Sequence, residues 1–110
     1  MMPDVNDNAY RASLIRVVNG DTLEAMIHLG FDVNLEAVIQ LRGLDLPEPH
    51  EEGGKEARQI TVDAITFYEL TLINPERDGF GRWVCDVFLP TGASLADLIR
   101  LRMAEGQADD

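Results

Sequence analysis

The sequence predicts a small, mainly β barrel with two helices, in the order β-β-β-α-β-β-α. Three observations predict it. Apolar and polar residues alternate over five short segments, the period of half-buried strands. Only two segments carry the three-to-four-residue spacing of an amphipathic helix. Turn residues fall between the segments at short intervals: Asn19-Gly20, Gly30 with Asp32, the Pro- and Gly-rich stretch from Leu46 to Gly54, Asn74-Pro75 and Asp78-Gly79. At 110 residues the chain is expected to form one domain, 1–110, with flexible ends at about 1–9 and 107–110.

Leu14, Ile15, Val17 and Val18 lie in a β-rich segment that starts near Tyr10 and ends at Asn19-Gly20, a strong short-range hairpin signal. "TLEAMIHLG" follows as a second strand, with Leu23, Ala25, Ile27 and Leu29 on one face and Glu24, Met26 and His28 on the other. After Gly30 and Asp32, "LEAVIQLRG" reads as a third strand that ends at Gly43. The segment from Lys55 to Ile65 has helical spacing at Ala57, Ile60, Thr61 and Ala64. "FYELTLINP" is a fourth strand, ended by Asn74-Pro75, and "WVCDVFLP" is the fifth. Ser94 caps a closing helix with Asp97 at its third position; Leu95, Leu98, Ile99 and Met103 form the apolar stripe, and Gly106 follows the end. Five strands with one helix between the third and fourth is the layout of an OB-fold, a Greek-key barrel.

Composition narrows the function. Twenty acidic residues against nine basic give a net charge of −11, so a polyanion is repelled at long range unless a cation or a local basic patch intervenes. One cysteine, Cys85, excludes an internal disulfide framework and a cysteine-rich zinc site. No apolar run approaches the ~20 residues of a membrane span. The N-terminal "MMPDVNDNAYR" has neither a basic start nor an apolar core, so a cytoplasmic setting is expected.

The carboxylates concentrate the chemistry. Asp21 begins the second strand, while Asp45 and Glu48 lie in the loop after the third. Antiparallel pairing of those strands brings the start of one and the end of the other to one rim, where three carboxylates would meet. Hard oxygen ligands suit Ca²⁺ or Mg²⁺, not zinc or copper. The same residues also fit a structural role, with Asp21 as turn chemistry and Asp45 and Glu48 as loop or helix caps.

"NGDT", "LRGLDLPE" and "DGFGR", in that order and at these separations, resemble the signature of the staphylococcal-nuclease (thermonuclease) family, which runs approximately "DGDT", "VRLxGIDxPE", "DxYGR" and a closing "L(I/V)xxGLA". The closing element is "LIRLRMA" in this chain, with Arg102 in place of the glycine. The likeness covers about residues 12 to 104 and implies an OB barrel that hydrolyses DNA and RNA with Ca²⁺. It implies that Asp21 and Asp45 bind the metal together with the backbone carbonyl of Leu46, that Glu48 activates or positions the attacking water, and that Arg82 contacts the phosphate near the leaving group.

One catalytic position departs from the pattern. Where the family has a second arginine, five residues before the motif aspartate, this chain has Gln40, which donates hydrogen bonds but carries no charge and no guanidinium fork. Losing one such donor typically lowers the rate by about 10²–10³. Arg42, two residues on along the same strand face, is the expected partial substitute. Phe80 is the expected aromatic to stack on a substrate base, because the base-stacking tyrosines that precede the family's third helix have no counterpart before Asp110. Trp83 and Phe88 are expected in the core, and His28 and His50 in solvent. Two functions are thereby expected to compete: a weak nuclease acting on single-stranded DNA or RNA with loosely bound Ca²⁺, and a non-catalytic module that binds a protein partner or nucleic acid.

Overall fold

The computed structural model describes residues 9–65 and 68–108. β1 (Ala9–Asn19), β2 (Thr22–Gly30) and β3 (Val33–Leu41) form an antiparallel meander. Helix α1 (Gly54–Ala64) precedes β4 (Glu69–Arg77) and β5 (Trp83–Phe88), and helix α2 (Leu95–Ala108) follows. The strands close into a barrel in the spatial order β1-β2-β3-β5-β4, with β5 parallel to β3 and β4 antiparallel to β1. The predicted architecture and element order are the observed ones.

Register decides what meets at the rim. Thr22 pairs with Gln40, which places the Asp21 turn beside the end of β3. The parallel pairing of Ile39 with Trp83 then brings the residue before Trp83, Arg82, to the same corner. The barrel interior is filled by Leu23, Ala25 and Ile39 from the meander, Leu72, Cys85 and Val87 from β4 and β5, and Leu95 and Ile99 from α2. Leu98 and Met103 complete the expected α2 stripe as half-buried neighbours, and the Asp97 N–H donates to Ser94 Oγ at 3.3 Å, as a cap should. Trp83 packs against the core only in part.

Several local expectations are corrected. Asn74-Pro75 does not end β4: the strand continues to Arg77, and the pair sits in a bulge between Ile73 and Glu76, with Asn74 left-handed at φ 54°. Proline is tolerated there because a bulge needs no ladder donor. Leu29 leaves the core face, because the register shifts between His28 and Gly30 and takes it out of the alternation. Ile15, which the sequence places in β1 without assigning it a face, is exposed beside a shift between Leu14 and Arg16. α2 runs through Gly106 to Ala108. Of the ends expected to be flexible, 1–8 and 109–110 lie outside the described residues, as does Phe67 of the expected fourth strand; Ala9 already pairs with Ile73.

The first hairpin turns on Gly20 and Asp21, and Gly20 is not left-handed. Its missing side chain answers to space instead: a Cβ at that position would lie 2.7 Å from Leu46 Cδ1 and 3.1 Å from the Ala57 carbonyl oxygen. Gly54, the first residue of α1, is tighter still. A Cβ on it would lie 1.7 Å from the Glu48 carbonyl oxygen, which belongs to backbone and cannot rotate away. Gly54→Ala therefore has to displace either the start of α1 or the loop that carries Asp45 and Glu48. We expect a loss of about 1–3 kcal/mol in urea unfolding, with amide chemical-shift changes concentrated at 45–54. Unchanged stability and unchanged loop shifts would show that the approach is not as close as described.

Candidate active site

The turn that carries Asp21 is pinned from every side. The Asp21 N–H donates to Asn19 Oδ1 at 3.3 Å, and its carbonyl accepts the Leu41 N–H at 2.9 Å. The Gly20 carbonyl accepts the hydroxyl of fully buried Thr61 on α1 at 2.6 Å. The Asp21 side chain is 5% exposed, and both of its oxygens are used: Oδ2 accepts the Leu46 N–H at 2.8 Å, and Oδ1 lies 2.9 Å from the Thr22 hydroxyl. Asp21 thus holds the loop after β3 to the first hairpin. No lysine, arginine or histidine pairs with it among the described residues.

Thr22 carries the network onward. Its hydroxyl also lies 3.1 Å from Gln40 Oε1, and its single hydrogen serves one of the two acceptors at a time. Gln40 Oε1 accepts from Arg82 Nη1 at 3.1 Å, while Gln40 Nε2 donates to the Leu44 carbonyl at 3.2 Å. The arginine fixes the amide orientation, since a flipped amide would set a donor against a guanidinium. Asp21, Thr22, Gln40 and Arg82 therefore form one hydrogen-bonded chain along the rim.

Arg82 is gripped from its other side by Asp78. The carboxylate accepts the Phe80 and Arg82 backbone N–H groups on Oδ1, at 2.8 and 2.9 Å, and Arg82 Nε on Oδ2 at 2.5 Å. Burial pushes the Asp78 carboxyl up, but those hydrogen bonds and the guanidinium charge outweigh it and hold the group below its ordinary value. Sequence reasoning passed over Asp78, although an Asp followed by Gly at a turn is an Asx-turn signal that points to it. Phe80 projects from this turn at 84% exposure, with the Arg82 guanidinium 5.8 Å from its ring centre.

The other expected site residues are placed less compactly. Asp45 and Glu48 are exposed in the loop, and among the described residues no three His, Cys, Asp or Glu side chains gather as a metal cluster. The expected convergence of three carboxylates is thus reduced to one buried aspartate with a flanking acidic loop. Arg42 does not substitute for the missing arginine. β3 ends at Leu41, and the Arg42 guanidinium turns to β4 and β5, pairing with Glu76 and Asp86 at 2.9 Å each and reaching the Asn74 carbonyl at 2.5 Å. Two nearby carboxylates outbid the rim. His28 is exposed and held between Ser13 and Asn34, and burial pushes the Cys85 thiol up to about 11, so neither is a candidate nucleophile or base here.

The lowered Asp78 carboxyl fixes a pH dependence. Because its value in the folded chain lies below the ordinary 3.8, its contribution to the turn is fully present above that value and disappears as pH falls through the lowered one. The Phe80 and Arg82 amides should therefore lose protection from hydrogen exchange in acid before the barrel unfolds. Asp78→Ala, which removes both acceptor oxygens, should show the same loss at neutral pH. Protection in the variant equal to the parent's would mean that Asp78 does not organise the turn.

No protein-family model matches the chain. Two kinds of relative do, each over 82 residues that make up 74% of this chain: a micrococcal nuclease of Shigella flexneri at 28% identity, and uncharacterised endonucleases of Escherichia coli O157:H7 and Escherichia coli at 27%. The chain spans about half the length of these curated relatives, 44% of the first and 50% of the others. With the five-stranded barrel and its element order, these distant homologues support the staphylococcal-nuclease likeness that the three motifs carry.

Proposed function

We propose that this chain hydrolyses phosphodiester bonds of single-stranded DNA or RNA with the help of Ca²⁺, at a rate held down by Gln40. The observation that carries the reading is the rim network itself: a buried carboxylate without a cationic partner, linked through Thr22 and Gln40 to an oriented guanidinium. Buried carboxylates are ordinarily paired with a cation or bound to a metal, and the hard oxygen of Asp21 suits Ca²⁺. Asp21, Asp45 and the Leu46 carbonyl would hold the ion, with water and substrate phosphate making up the rest of a sparse shell. Bound Ca²⁺ supplies neutralisation of the phosphate charge.

The chain's own residues do the remainder. Glu48 accepts a proton from the attacking water and aims its oxygen at phosphorus, while the bond to the leaving oxygen breaks in line. Arg82, aimed by Asp78 and Gln40, donates to a phosphate oxygen as negative charge builds there. Its Nε and Nη1 are engaged by Asp78 and Gln40, which leaves Nη2 as the natural phosphate donor. That same engagement favours a second reading, a non-catalytic module for a protein partner or nucleic acid, in which Arg82 is only a structural clamp.

Two measurements separate the readings. Ca²⁺ should raise Tm with concentration, by about 2.7 kcal/mol of stability at 100 times Kd, and Asp21→Asn should abolish most of that rise. An unaltered rise in the variant would place the ion elsewhere. Gln40→Arg should increase Ca²⁺-dependent cleavage of single-stranded DNA roughly 10- to 10³-fold, since it adds a guanidinium and frees Arg82 Nη1 in one step. Arg82→Ala in that background should remove the gain, because both groups act on one phosphate. A folded Gln40→Arg protein without detectable cleavage would give the binding module the lead.

A further inference from the structure

The arginine five residues before Arg82 does something different. Arg77 ends β4, and its guanidinium lies over the Trp83 ring, 4.8 Å from the centroid. In a chain of net charge −11, Arg77 makes no ion pair among the described residues, as is true of Arg11, Arg58 and Arg102, whereas Arg16, Arg82 and Arg100 pair with one carboxylate each and Arg42 with two. The stacked pair forms one wall of an open cleft of about 470 Å³ whose other walls are β3, at Leu35 and Ala37 on one face and Val38 on the other, and Gly81, the residue before Arg82. The cleft therefore begins where the candidate phosphate contact ends.

Its chemistry discriminates between the parts of a nucleotide. Glu24 and Glu36 line the same cleft, so a phosphate would meet two carboxylates there. A neutral base would not. A base finds a flat delocalised cation to stack on, set over an indole, with the apolar side chains of Leu35, Ala37 and Val38 lining the same cleft. We propose that this cleft is a nucleobase subsite, in which the base of the nucleotide neighbouring the scissile phosphate of a single strand stacks on the Arg77–Trp83 pair. The inference rests on the nuclease reading for its substrate class, but its binding chemistry can be tested without turnover.

Trp83 is the one tryptophan in the sequence and lines this cleft, so tryptophan fluorescence comes from a single site that borders it. Excited at 295 nm in low salt with Ca²⁺, and read by stopped flow before any cleavage, it should be quenched saturably by a single-stranded trinucleotide. An abasic oligomer of equal length and phosphate count should quench little. Arg77→Met, which keeps the aliphatic stem and removes the plane, should weaken trinucleotide binding roughly 5- to 100-fold. In a cleavage assay the same variant should raise KM and leave kcat nearly unchanged. Base-dependent quenching that Arg77→Met weakens supports the subsite even if the parent cleaves nothing. Equal quenching by the abasic oligomer, or undiminished binding by Arg77→Met, overturns it even if the parent is an active nuclease.

Discussion

Everything at the rim depends on how the Asp21 carboxylate is held. A short hairpin turn, a long loop and a helix from three parts of the sequence have to agree on one geometry, and each is tied to the same two residues. The loop after β3 is attached through the Leu46 N–H to Asp21 Oδ2, α1 through Thr61 to the Gly20 carbonyl, and β3 through the Leu41 N–H to the Asp21 carbonyl. Each bond is modest, about 0.5–1.5 kcal/mol net, but losing one would leave a buried polar group unpaired at larger expense. The absence of a side chain on Gly20 lets Leu46 and Ala57 close over the turn. The hydrogen bonds that fix the loop also hold a buried carboxylate in one orientation.

A carboxylate so placed shapes what the rest of the corner can be. Arg82 does not neutralise Asp21 directly; Thr22 and Gln40 stand between them. An arginine at position 40 would bring positive charge beside the carboxylate and end the hydrogen bond that Gln40 accepts from Arg82. Glutamine instead transmits orientation without charge: its Oε1 fixes Arg82 and its Nε2 anchors the Leu44 carbonyl at the start of the loop. The departure from the family pattern is therefore not a hole in the site. Gln40 keeps the corner organised through its hydrogen bonds to Arg82 and to the Leu44 carbonyl.

Alternation and turn residues were enough to read the barrel, because half-buried strands and two amphipathic helices obey simple periods. They failed where the ladder slips. Leu29 and Asn74-Pro75 sit at register shifts, and a bulge leaves the local period of two intact on either side while displacing what lies between. Of the candidate site, motif spacing made Asp21 and Arg82 legible as residues of one rim, which Thr22 and Gln40 now connect, while Asp45 and Glu48 lie exposed in the loop. Arg42 was misjudged for a different reason. Face alternation predicts where a side chain starts, and a long arginine ends wherever carboxylates are closest, which is at Glu76 and Asp86. Thr61 and the Leu46 N–H were not legible at all, since their partners are backbone groups that only the tertiary fold brings near.

Acidity is the last constraint to reconcile with a nucleic-acid substrate. Of the arginines around the barrel, Arg16, Arg42 and Arg100 are bound to carboxylates and contribute little attraction at a distance. Arg82 is shared with Asp78, and Arg77 rests on an indole. Such a surface cannot draw in a polyanion by long-range steering. It can still hold a strand by contact, if cation binding offsets the carboxylates at Asp21 and flat groups receive bases rather than phosphates. The paired Arg77 and Trp83 close the base of the 78–82 turn, and Phe80 projects from its middle with Arg82 beside it. Under the proposed function, a strand would therefore be held by stacking on flat groups around a turn that Asp78 organises, and not by net charge.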